Sequence, residues 1–154
     1  MNHHTTTRIP VNDEYVALVG KAVYVFAYYE WTIIWIIEYL EPGFVSEYSR
    51  GKPITSGGDR GVKGRLKSAI DSPKDTLENS TIEELKSCLA TFSLLIEKRN
   101  ALIHAHPCTD NDDAQILVYQ TQTSKSLPDM KWPSAEVEKS LLKLMKLRVK
   151  PVWF

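Results

Sequence analysis

Apolar positions recur in alternating steps of three and four over two long stretches of the chain. The first stretch reads Val16, Val19, Val23, Phe26, Glu30, Ile33, Ile37 and Leu40, the seam of an amphipathic helix with one acid set into it. Asn12 or Asp13 can cap this helix and Pro42-Gly43 stops it, which predicts a helix running to about Glu41. A second stripe, Tyr24, Tyr28, Trp31 and Trp35, lies beside the seam, so the helix is apolar over most of its circumference. Such a helix is expected at the centre of a bundle or in an oligomer interface. The second stretch reads Ile82, Leu85, Leu89, Phe92 and Ile96, and its next seam positions are Arg99 and Ile103, then His106. It predicts a helix from Ile82 to about Ala105, opened by a Thr81/Glu84 capping box and closed by Pro107, which disfavours helical geometry at His106.

Weaker signals fill the remainder. Residues 42 to 60 read as a Gly/Pro/Ser loop, Val62 to Ile70 as a short helix broken by Ser72-Pro73, and Gln115 to Thr121 as a short strand with its turn at Ser124 to Pro128. Pro133-Ser134 opens a last helix to about Val149 with the stripe Val137, Leu141, Leu144, Met145 and Arg148. The expected fold is all-α: an antiparallel bundle of about four helices with a short strand or hairpin inserted before the last. It forms a single domain over residues 1–154, with residues 1–11 as a loose N-terminal arm.

The two seam intruders bear on each other. In an up-down-up bundle the first and third helices run parallel, and Glu30 and Arg99 then fall within one turn of the same level. Each alone is a costly defect in an apolar face, so the pattern predicts an ion pair in which Glu30 fixes the Arg99 guanidinium.

Composition changes this picture little. The apolar fraction of 43% and charged fraction of 25% suit a globular domain, and the formal net charge of zero gives no global sign of a polyanion partner. Charge is uneven, however: Arg50, Lys52, Arg60, Lys63, Arg65 and Lys67 face Asp59 alone between Arg50 and Ile70. Arg60, Lys63, Arg65 and Lys67 are therefore the candidates for contact with a polyanion. Cys88 and Cys108 form no CxxC pair and the start carries no leader-like run, which leads to an expectation of a reduced, cytoplasmic protein. The apolar run from Ala22 to Leu40 contains Glu30 and Glu38, too costly for a membrane span, so no membrane association is expected. His104, His106, Cys108 and Asp110 alternate without the spacing of a zinc site, and no metal or other cofactor is expected. Gly57-Gly58-Asp59-Arg60-Gly61 has the spacing of a phosphate cradle without the helix–strand framework that uses it, and reads as a mobile loop.

The chemistry gathers in Arg99-Asn100-Ala101-Leu102-Ile103-His104 at the end of the long helix. An arginine followed directly by a polar residue and, after four residues in all, by a histidine resembles the motif of HEPN domains, an all-helical family of about this chain's size. The resemblance implies a metal-independent endoribonuclease working at a homodimer interface, in a toxin or defence setting with an antitoxin protein as a further partner. Arg99, Asn100 and His104 would be its catalytic residues, with Glu30 and His106 in support. The residue types suit RNA cleavage: an imidazole for proton transfer, a guanidinium fork for the phosphate oxygens, and an amide as a further donor. On an ideal helix, though, Arg99 and His104 point about 140° apart, so a shared site needs a bent helix end or a second copy of the chain. The alternative is a non-catalytic helical module that binds RNA, nucleotide or protein.

Overall fold

The computed structural model describes residues 11–50, 54–120 and 130–146. Five helices and three short strands follow in the order α1 (Asp13–Leu40), α2 (Phe44–Arg50), α3 (Val62–Asp71), α4 (Asn79–Ile103), β1 (His106–Thr109), β2 (Gln115–Tyr119), β3 (Met130–Trp132) and α5 (Ser134–Lys146). The fold is predominantly helical but not purely so, because the strands form an antiparallel sheet in the order β1-β2-β3. His106 stands opposite Val118, and Leu117 opposite both Pro107 and Trp132. The N-terminal arm, the Ser124–Pro128 turn and the end of the last helix lie outside the described residues.

α1 begins and ends where its caps require. The Asn12 side chain accepts from the Glu14 and Tyr15 N–H groups, and Pro42 with Gly43, at φ 107°, turns the chain out of the helix. Residues 42–60 are not one loop, since α2 forms within them. Its start is held from outside, by the Glu38 carboxylate of α1 accepting from the Gly43 and Val45 N–H groups at 2.8–3.1 Å. α4 begins at Asn79 behind Glu78, so Thr81 lies inside the helix and no Thr81/Glu84 capping box forms.

Two apolar clusters share α1 end to end. Its N-terminal part, through Tyr15 and Ala22, joins Ala101, Leu102, Trp132, Val137 and Leu141. Its C-terminal part, through Phe26, Tyr29, Ile33 and Ile37, joins α2, α3 and α4 from Leu85 to Ile96. The buried face thus departs from the simple seam: Val16 and Val23 are exposed, while Tyr15, Ala22, Tyr29 and Ile34 are inside. Tyr15 ties α1 to the sheet, donating to the Trp132 carbonyl and accepting from the Leu117 N–H at 3.0 Å.

α1 and α4 run antiparallel, not parallel. Phe26 meets Arg99 and Phe92, whereas Tyr29, one turn further along α1, meets Phe92 and Cys88, one turn or more back along α4. Two helices, α2 and α3, stand between α1 and α4 in the chain, which reverses the direction expected from a simple up-down-up order. No described helix is long and apolar enough to cross a membrane.

Candidate functional site

Arg99 sits where the two apolar clusters meet. Leu95 and Ile96 before it belong to one and Ala101 and Leu102 after it to the other, so its half-buried side chain leaves α4 through the join. Two contacts fix its pose. The guanidinium carbon lies 4.7 Å from the centre of the Phe26 ring, a cation–π arrangement, and Nη2 donates to the buried Ser56 Oγ.

Ser56 is presented by a loop that folds back on the start of α3. The Val62 and Lys63 N–H groups donate to the Thr55 and Ser56 carbonyls at 2.9 and 3.0 Å, supplying from the loop backbone the cap that Gly61 has no side chain to give. A Cβ at Gly61 would overlap the Gly57 and Thr55 carbonyl oxygens, and one at Gly57 would lie 3.6 Å from the Ile96 side chain of α4. These contacts tie the Gly57–Gly61 stretch to the start of α3.

The loop, α1 and the end of α4 enclose an open cleft of about 710 Å³. Its lining includes Phe26 and Glu30 from α1, the loop residues Thr55 to Gly58, and Arg99, Asn100 and Ile103 from α4. Glu30 and Arg99 thus share one cleft, but the expected ion pair is absent: no contact between the two charges forms among the described residues. Glu30 Oε1 and Arg99 Nε are both buried without a hydrogen-bond partner. With the helices antiparallel, the Phe26 ring and Ser56 hold the guanidinium, and Glu30 stands one turn beyond Phe26. Both charges still reach Tyr48 of α2. Burial raises its phenol above the ordinary value of 10, the Glu30 carboxylate pushes it the same way, and the Arg99 guanidinium opposes them.

The remaining motif residues lie apart. His104 is the C-cap of α4, its N–H donating to the Asn100 carbonyl at 3.0 Å, and its exposed side chain is not part of the cleft lining. His106 is exposed on β1. Of the basic candidates, Arg65 is engaged by Glu41 and Glu47 at 3.4 and 3.2 Å and lies over the Phe44 ring, and Lys67 pairs with Asp71 at 3.2 Å. Arg60 and Lys63 make no ion pair among the described residues, and none of the four lines the cleft. No group of three or more His, Cys, Asp or Glu among the described residues is placed to hold a metal ion.

Three contributors escaped the sequence reading. Phe26 was visible in principle, one turn before Glu30 on the same seam. Ser56 and Tyr48 carried no signal, because their roles arise from a loop turn and a short helix that only tertiary contacts create. Compared with protein-family models, with curated proteins and with solved structures, the chain matches none.

Proposed function

We propose that the chain is a HEPN-type endoribonuclease that works without a metal ion, its sites completed between two protomers. The observation that carries this reading is the posed arginine: a half-buried guanidinium on an aromatic ring, opening with Asn100 into a cleft wide enough for a nucleotide, five residues before an exposed histidine. Arg99 and Asn100 bind the scissile phosphate and stabilise the charge that grows on its non-bridging oxygens. One imidazole takes the proton of the 2′-hydroxyl as that oxygen attacks phosphorus. The bond to the 5′-oxygen breaks, and the departing oxygen takes up a proton from the imidazolium so formed or from water, leaving a 2′,3′-cyclic phosphate and a 5′-hydroxyl. His104 is exposed and does not line its own chain's cleft, so a second protomer supplies the histidine that the cleft lacks.

The test is complementation. Arg99→Ala and His104→Ala homodimers are each inactive, and mixing the two restores about a quarter of wild-type cleavage, because half the dimers are hybrids with one intact site. No recovery on mixing, with subunit exchange verified, rules out the shared site. The same off-cleft histidine favours a second reading, a binding module that holds RNA or a nucleotide through Arg99 without cutting it. RNA bound but uncut by the wild-type protein establishes that reading instead.

A further inference from the structure

Glu30 is a charge to which the fold gives no partner. Its Oε1 is buried without a hydrogen bond, and the half-buried side chain makes no hydrogen bond or ion pair among the described residues. A buried carboxylate oxygen in that state is costly and calls for a donor supplied from outside the fold.

The same residue polarises the cleft. Glu30 and Arg99 are the two charged residues of its lining, and the others are apolar, small or neutral. Glu30 stands four residues, about 6 Å along α1, beyond the Phe26 ring that carries the guanidinium. Because α1 and α4 run antiparallel, it lies on the side of Arg99 away from Asn100 and His104. A ligand that fills the cleft must therefore offer an anion at one end and hydrogen-bond donors at the other. Ala27, Gly57 and Gly58 on the lining carry little or no side chain, which leaves room for a flat ring.

A nucleotide has that polarity, and the carboxylate selects among the bases. An ionised carboxyl accepts through two adjacent oxygens and donates nothing. On their Watson–Crick edges adenine, cytosine and uracil each set a single donor group beside an acceptor, so one oxygen would face a lone pair. Guanine sets N1–H beside the N2 amine, two adjacent donors that match the two oxygens. We propose that Glu30 makes the cleft selective for guanine, accepting from N1–H and the N2 amine of the nucleotide whose phosphate rests on Arg99. The proposal rests on the reading of Arg99 as a phosphate site and not on cleavage, so a protein that binds guanine nucleotides without cutting RNA still supports it.

Titration calorimetry of the full chain with the 3′-monophosphates of guanosine, inosine, adenosine, cytidine and uridine tests it. The guanosine nucleotide should bind roughly tenfold or more tighter than those of adenosine, cytidine and uridine, the scale of one bidentate base contact. Inosine keeps N1–H but lacks the N2 amine, and should lose most of that advantage. Glu30→Gln offers one donor beside one acceptor, a pair that every base can match, and should level the five affinities. The wild-type series decides without any variant, so a misfolded Glu30→Gln leaves the result readable. Equal binding of the nucleotides by the wild-type chain, or no binding at millimolar concentration, overturns the proposal, as does a guanine preference that survives Glu30→Gln. A guanine preference whose affinities are all unchanged by Arg99→Ala keeps the Glu30 contact and ends the phosphate reading instead. RNA cleavage with no nucleotide preference leaves the ribonuclease reading standing and overturns this one.

Discussion

Replacing Ser56 with alanine isolates the contact that poses Arg99. Ser56 is buried at 8% exposure, and its hydroxyl accepts from Arg99 Nη2 while its carbonyl, which the substitution leaves in place, accepts from the Lys63 N–H. A hydrogen bond to a charged group contributes about 1.5–3 kcal/mol. Arg99 Nε already lacks a partner, so the variant leaves a second guanidinium donor unsatisfied in the join between the two cores. The expected loss is therefore about 2 kcal/mol, or about 4–8 °C in melting temperature for a chain of this length. Urea unfolding followed by tryptophan fluorescence and circular dichroism measures it, with an unchanged m value as the sign that only stability moved. A double-mutant cycle with Arg99→Met makes the assignment specific: once the guanidinium is gone, Ser56→Ala should cost no more than about 0.5 kcal/mol. The reasoning fails if Ser56→Ala is nearly silent in the wild type, or if its cost is the same with methionine at position 99.

Three other outcomes follow from the packing. Gly61→Ala drives a Cβ into the Gly57 and Thr55 carbonyls and should destabilise by about 1–3 kcal/mol, whereas Gly20→Ala, with nothing within 4 Å of its Cβ, should stabilise α1 by about 1 kcal/mol; urea midpoints distinguish them. Tyr15→Phe strips the Leu117 N–H and the Trp132 carbonyl of one partner and should cost about 1–3 kcal/mol, with faster hydrogen exchange at the Leu117 amide as the local readout. Backbone N–H groups of Gly43, then Val45, hold the Glu38 carboxyl below its ordinary 4.5, with Phe44 adding to them. Its contribution is complete above the unfolded value and is lost as pH falls through the depressed folded one, so Glu38→Gln should flatten the acid side of the melting-temperature profile.

Long periodic segments were legible in the sequence because cap, seam and stop agreed: Asn12, the α1 seam and Pro42-Gly43 fix that helix almost to the residue. Short elements were not. α2 has seven residues, too few for a periodic signal, and its start depends on Glu38 reaching over from α1. β1 is exposed at all four positions and contains Pro107, so it shows neither alternation nor strand composition. That Glu30 and Arg99 each need a partner or a use was also readable, since a charge in an apolar seam must be accounted for. Their relation was not, because helix direction depends on how many helices intervene, and the missed α2 reversed it. The guanidinium is consequently held by an aromatic ring and a serine from distant parts of the chain, partners that no local pattern encodes.

The posed arginine and the histidine beyond it are proposed to cut RNA, and activity in the absence of metal tests both together. The direct measurement is cleavage of a defined single-stranded RNA by the purified wild-type chain in excess EDTA, with product ends identified, beside Arg99→Ala and His104→Ala prepared identically. Chelator-resistant cleavage that leaves 2′,3′-cyclic phosphate and 5′-hydroxyl ends is expected, abolished by either substitution while the helical signal and the cooperative melt of a folded chain persist. Undiminished cleavage by His104→Ala, or 3′-hydroxyl ends that vanish with EDTA, would contradict it.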